Sequence, residues 1–300
     1  MIYFKDDSIY SIHSINYPNF NYNKWSARRD TLVKWINENH PEFNGFLNGM
    51  SANEANKYLQ AMDLYSHRNC RFTTIEGQKY YIKTQGMGDV TVIFENGMSD
   101  SLEIWGHIPD DVAEFAKVFS YDRADISLSN TSHTPRTVPN TVSELHTILE
   151  QEQINPPYVV VGHSLGGLLM RYFASTYPDE VQGMLLLDPA PEDHWNNMSK
   201  KELKKYIEGG TQWYHERFPK KYWGEWEQFI PNLAYMDSLN IRNDLPIIMV
   251  SATEWQWYTL HENILEGFEN AQHYELEGEH HIFKQHPEEV IKYIRDLVDL

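Results

Sequence analysis

The chain is short of three things, and each shortage excludes something. Its 300 residues contain one cysteine, Cys70, which cannot close an internal disulfide. No histidine stands beside it in a nucleophile-like motif, so it reads as a buried or half-buried thiol in a reducing environment. There is no uninterrupted apolar run of membrane-spanning length, so no integral membrane association is expected. Positive charge is scarce: 25 Lys and Arg stand against 43 Asp and Glu, for a net charge of -18. Clustered cations are what nucleic acid and anionic lipid surfaces attract, so the expected partner is a small-molecule substrate and no nucleic acid. The opening Met1-Ile2-Tyr3-Phe4-Lys5-Asp6-Asp7 carries two acids where a secretory leader has a basic stretch, and a soluble cytoplasmic protein is the expectation. Nothing in the sequence indicates an oligomeric state, and no internal repeat or low-complexity tract stands out.

Enough apolar material is present for a large core, 41% of residues being hydrophobic and 14% aromatic. Residues 1–66 are polar and rich in Asn and Tyr, and predict a mostly helical extension. One helix is expected at 28–39 and another opening on the capping box of Ser51 and Glu54. From Arg71 the texture changes to short strands at 71–75, 79–83 and 90–94, with Gly77 and Gly86-Met87-Gly88 as turns. Next come a helix over 101–117, a strand over 118–121, a helix over 140–152 and a strand ending near Val161. A helix to Tyr177 follows, then strands at 181–187, 246–250 and 271–276 and a last helix from Pro287. Strands alternating with helices call for a mostly parallel sheet covered on both faces, with ligands beyond the carboxyl ends of the strands. The organisation expected is a core of residues 67–188 and 244–300 interrupted by a helical cap, residues 189–243. That insertion is rich in large rings, Trp195, Trp213, Tyr214, Trp223, Trp226 and Phe229 among them. Most should pack the insertion's own small core, with a few left to face a ligand.

Gly162-His163-Ser164-Leu165-Gly166-Gly167 follows Tyr158-Val159-Val160-Val161 and precedes an amphipathic stretch. This is a strand entering a helix through one strained serine, the G-x-S-x-G elbow, in which a Cβ on either side of the serine would clash. Such a serine serves acyl transfer, and then needs a histidine base, a carboxylate and an oxyanion hole.

With Glu95-Asn96-Gly97 after one strand, Tyr121-Asp122-Arg123-Ala124 after the next, the elbow, Leu187-Asp188-Pro189-Ala190 and a late histidine before Pro287, residues 71–300 resemble an α/β-hydrolase fold enzyme. The resemblance implies an eight-stranded, mostly parallel sheet with helices on both faces, no cofactor and no metal, and hydrolysis of an ester, amide, lactone or related acyl bond. It selects His280, seven residues before Pro287, as the base, with His281 as runner-up because Glu279 intervenes after Gly278. A metal reading of His280, His281 and His286 is set aside, because supporting ligands at helical spacing are missing. Two carboxylates end suitable strands, Asp188 and Glu254; Asp188 is favoured, as it ends an apolar strand abruptly. The backbone N–H groups of Met98 and Leu165 are the expected oxyanion donors, with Asn96-Gly97 standing where relatives often have His-Gly. The segment from Asp122 to Ser129 resembles Asp-Arg-x-Gly-x-Gly-x-Ser but carries Asp125 and Ser127 in place of both glycines, which puts its conformation in question.

The leading expectation is an esterase or lipase-like serine hydrolase using Ser164, His280 and Asp188 on a small to medium, partly apolar ester. The alternatives are an amidase, lactonase or carbon-carbon hydrolase, and a ligand-sensing module of the same fold that does not turn over.

Overall fold

The computed structural model describes residues 69–300 together with two short strands, Tyr3–Lys5 and Ser8–Tyr10, which pair antiparallel. The helices expected within residues 1–66 and the Ser51–Glu54 capping box lie outside the described residues. The chain divides into two compact units, Met1–Arg68 and Asn69–Leu300.

The second unit is built on an eight-stranded sheet. Its strands are β1 (Cys70–Ile75), β2 (Gln78–Gln85), β3 (Thr91–Glu95), β4 (Lys117–Tyr121), β5 (Tyr158–His163), β6 (Val181–Leu187), β7 (Ile247–Ala252) and β8 (Ala271–Leu276). They lie in the order β8-β7-β6-β5-β3-β4-β2-β1. Every pair from β8 to β4 is parallel, and the β4–β2 and β2–β1 pairs are antiparallel. The central strands read as unbroken apolar runs because both of their faces are covered. Tyr158 and Val160 of β5 join a core with Ile93, Met184 and Leu186. Val159 and Val161 join another with Val92, Phe94, Leu185 and Leu187. The period of two thus sorts one strand between two cores.

Helices α1 (Ile108–Val112), α2 (Val138–Gln151) and α3 (Leu165–Thr176) connect the first strands. Val142, Leu145 and Leu149 of α2 and Leu168 and Phe173 of α3 belong to the first core, whereas Ile108 and Val112 of α1 belong to the second. The helix expected over 101–117 is not continuous. A short 3-10 turn, Leu102–Trp105, stops at Gly106, whose φ of 59° no right-handed helix tolerates. A new start follows with Pro109 in the first turn of α1, where its missing N–H costs nothing.

Between β6 and β7 the insertion is helical, with α4 (Asp193–Asn196), α5 (Lys200–Arg217) and α6 (Trp223–Leu233). A capping box opens α5: Ser199 accepts from the Glu202 N–H, and the Glu202 carboxylate accepts from the Ser199 N–H at 2.9 Å. Most of the insertion's rings pack on one another, Trp195 edge-on to Phe229 at 4.7 Å and Tyr214 stacked between Phe218 and Trp226. The chain closes with α7 (Ile282–Gln285) and α8 (Pro287–Val298), whose Val290, Ile294 and Leu297 cover the second core. No helix among the described residues is long and apolar enough to cross a membrane.

Candidate active site

Ser164 stands between the last residue of β5 and the first of α3, at φ 53° and ψ −117°. A side chain in this region is strained, and the surroundings hold it there. Its N–H donates to the Leu187 carbonyl at 3.2 Å, and its own carbonyl accepts from Gly167 and Ala190. The two flanking glycines are required by close approach. A Cβ on Gly162 would lie 2.5 Å from the Gly166 oxygen, and one on Gly166 2.3 Å from the Glu95 oxygen. The Ser164 hydroxyl makes no capping bond to α3. Leu165, as the first helical residue, has an N–H with no acceptor inside the helix.

On one flank lies Asp188, directly after β6, fully buried and at φ 42°. Its Oδ2 accepts from His280 Nδ1 at 2.6 Å, and its Oδ1 from the Ala252 N–H at 3.0 Å. Because a carboxylate accepts here, Nδ1 carries the proton and Nε2 of the neutral ring is left with a lone pair. Trp255 stacks on the His280 ring at 4.9 Å and Trp257 meets it edge-on at the same distance. Behind Asp188 is a second histidine that sequence reasoning missed. His261 is fully buried and donates from Nε2 to the Pro189 carbonyl at 2.7 Å. Its Nδ1 therefore accepts from Ser251 Oγ at 2.6 Å, and Ser251 in turn accepts from His273 Nε2 at 2.6 Å. Burial pulls the His261 pKa below its ordinary value, against the attraction of Asp188. No spacing in the sequence marks it, since its members come from β7, the turn after β7 and β8.

The other candidates lie apart. Glu254 is exposed. His281 turns away from Asp188, its Nε2 standing 3.6 Å from Asp100 Oδ2. His286 donates to the Glu277 carbonyl at 2.8 Å. The histidines that are neighbours in sequence thus go to three different partners.

On the other flank the segment from Glu95 to Ser99 carries Met98. Asn96 is fully buried, accepting from Trp105 Nε1 at 2.6 Å and donating to the Tyr121 carbonyl at 2.9 Å. Arg123, 1% exposed, spends all five of its N–H groups here. It binds the Glu95 carboxylate at 2.6 Å, the carbonyls of Asn96 and Gly97 at 2.8 and 2.7 Å, and both oxygens of Glu225 at 2.6 and 3.1 Å. Glu225 comes from α6 in the insertion, and it also accepts from the Ser99 N–H at 2.7 Å. Tyr121 completes the cluster by donating to Glu95 at 2.7 Å. Burial raises the Glu95 pKa although Arg123 opposes it. For Arg123 burial acts downward and is outweighed by Glu225 and Glu95, so its pKa is raised. Sequence reading found Arg123 only as part of the segment from Asp122 to Ser129 and missed Glu225, which is 102 residues away.

Asp125 and Ser127, standing where related sequences have glycine, keep the glycine conformation at φ 74° and 44°. Polar contacts hold it: Asp125 accepts from the Ser132 N–H at 2.8 Å, and the Ser127 N–H donates to Tyr222 Oη at 2.8 Å. The loop's conformation survives the loss of both glycines.

The comparisons with known proteins agree with this fold. A family model described as the alpha/beta hydrolase fold matches residues 90–241, and the chain belongs to that family. It is similar to the uncharacterized protein YqjL of Bacillus subtilis, 29% identical over 208 residues that make up 64% of this chain and 77% of that protein. It is also similar to Lipase LipV of Mycobacterium tuberculosis, 31% identical over 107 residues, 34% of this chain and 38% of the lipase. Among solved structures, alpha/beta hydrolase domain-containing protein 10 from mouse superposes with a TM-score of 0.62 at 17% identity, covering 77% of this chain and 98% of that one.

Proposed function

We propose that the protein is a serine hydrolase acting on a carboxylic ester of small to medium size, with Ser164 as nucleophile, His280 as base and Asp188 as the acid that orients it. The observation that carries this reading is the bond from buried Asp188 to His280 Nδ1, at the same sheet edge as the strained Ser164. With its proton on Nδ1, His280 Nε2 takes the proton of Ser164 as Oγ adds to the ester carbonyl. The N–H groups of Met98 and Leu165 receive the developing oxyanion, and Arg123 fixes the carbonyls on either side of Gly97 so that this loop is preorganised. His280 returns the proton to the leaving alcohol. Water then adds to the acyl-enzyme with His280 as base, and the acid product leaves.

Residues 189–243 act in this reading as a cap over a core of 67–188 and 244–300, with 1–66 as an extension. The ring-rich insertion suits a partly apolar substrate.

Steady-state hydrolysis of p-nitrophenyl esters of increasing acyl length tests the proposal. Turnover should fall by roughly 10⁶-fold in Ser164→Ala, the scale on which a nucleophile acts. Turnover surviving in the variant, or no turnover by the parent enzyme on any ester, would overturn it; in the second case amides, lactones and carbon-carbon bonds become the substrates to try.

A further inference from the structure

We propose that Asp100, His163 and His281 form a binding site for a divalent transition-metal cation, zinc by preference, next to the serine site and built from different side chains. The three come from the loop after β3, the end of β5 and the turn before α7. One ligand atom from each lies within 4.8 Å of the others.

The argument turns on His163, which is 1% exposed. Its Nε2 faces the His280 carbonyl at 2.9 Å. A carbonyl only accepts, so Nε2 holds the proton and Nδ1 of the neutral ring is a bare lone pair. That Nδ1 is buried with no hydrogen-bond partner. The Asp100 carboxylate beside it is a second acceptor, and two acceptors facing one gap repel unless a cation lies between them.

The gap is kept open by Gly97. A Cβ there would sit 2.7 Å from Asp100 Oδ2 and 2.8 Å from His163 Nδ1. Only a residue without a side chain at position 97 lets Asp100 and His163 present these atoms, and the three ligand atoms, all within 4.8 Å of one another, need a modest closure of the side chains to reach Zn–N and Zn–O bonds of about 2.0–2.2 Å. His281 has a side chain 41% exposed, which opens the site to solvent and leaves a fourth position for water. Two imidazoles and one carboxylate favour zinc over magnesium or calcium, which prefer all-oxygen shells. A bound metal would tie together the loop carrying Met98, the nucleophile strand and the loop carrying His280. The three ligands are far apart in sequence, so the run of His280, His281 and His286 gave no hint of this site.

Full-length protein stripped with a chelator would be titrated with Zn²⁺ by calorimetry and with Co²⁺ by visible absorption. One equivalent should bind, with Co²⁺ showing the intense bands of a four-coordinate site. The double substitution Asp100→Asn with His281→Ala should weaken binding by more than about 100-fold, the upper limit of what even second-layer partners of a metal contribute. Gly97→Ala, which fills the gap and removes no ligand, should weaken it too and serves where the double variant fails to fold. No Zn²⁺ binding by the parent at micromolar concentration, or unchanged affinity in these variants, would overturn the proposal.

Discussion

On one side of Ser164 the loop from Glu95 to Ser99 is held by ions, with Arg123 spending five donors on two carboxylates and two carbonyls. On the other side His280 is held by one carboxylate, two indole rings and, behind these, a hydrogen-bonded chain of His261, Ser251 and His273. On the proposed assignment, the difference matches what each flank is asked to do. Backbone donors for an oxyanion must point in one direction throughout, and a desolvated ion cluster with every bond made is stiff. A base of this kind gains and loses a proton in each half of the cycle. Surrounded by further fixed charges it would be pinned in one protonation state, whereas ring faces and hydrogen bonds accommodate both.

Five substitutions sharpen this contrast. The largest effect belongs to the base flank: Asp188→Asn should lower kcat by about 10⁴-fold, because His280 then loses its orienting acceptor. Glu254→Gln, in the exposed loop, should leave kcat nearly unchanged, and equal mild losses in the two would remove Asp188 from its assigned role. On the ion-held flank, Arg123→Met should destabilise the fold by about 3–5 kcal/mol in urea unfolding, since it leaves two buried carboxylates unpaired. A loss under about 1 kcal/mol would mean that the cluster tolerates a missing member, against the usual behaviour of buried ion networks.

A smaller effect separates the flanks by pH. The folded pKa of His261 is depressed below 6.5 by burial, so the unfolded chain takes up this proton first. The histidine's contribution is complete above pH 6.5 and is lost as pH falls toward the folded pKa, by up to about 1.4 kcal/mol per unit. His261→Gln should therefore show a smaller drop in stability between pH 7.5 and 5.5 than the parent, and an identical drop would contradict that depression. The smallest effect is Ser127→Gly, which relieves a positive φ and should raise stability by at most about 1 kcal/mol. A decrease in Tm there would assign the conformation to side-chain contacts of Ser127.

What was legible in advance was whatever the chain encodes locally. The elbow, the strands at 181–187 and 271–276 and the helix from Pro287 follow from short-range pattern, because apolar runs and punctuating Gly and Pro act over a few residues. The break at Gly106 was missed because an isolated glycine inside a helical pattern is often tolerated. Which of Asp188 and Glu254 meets His280 depends on two loops more than 90 residues apart in sequence coming together, which no window of sequence reports. The same holds for Glu225, an acid on an insertion helix whose only advertisement was a charge among aromatics. Asp125 and Ser127 show the reverse case: composition argued against a conformation that long-range partners supply.

Asp188 and Ser164 ride on neighbouring parallel strands, β6 and β5, and the Ser164 N–H is bonded to the residue just before Asp188. On the proposed assignment, nucleophile and acid are therefore inherited as one unit. On the same assignment the turn after β7 carries no member of the triad and contributes the Trp255 and Trp257 faces and, behind Asp188, His261. With His261 kept, the stretch from Trp255 to Trp257 is then open to rewriting for new substrates, because on this assignment the reaction chemistry is stored elsewhere.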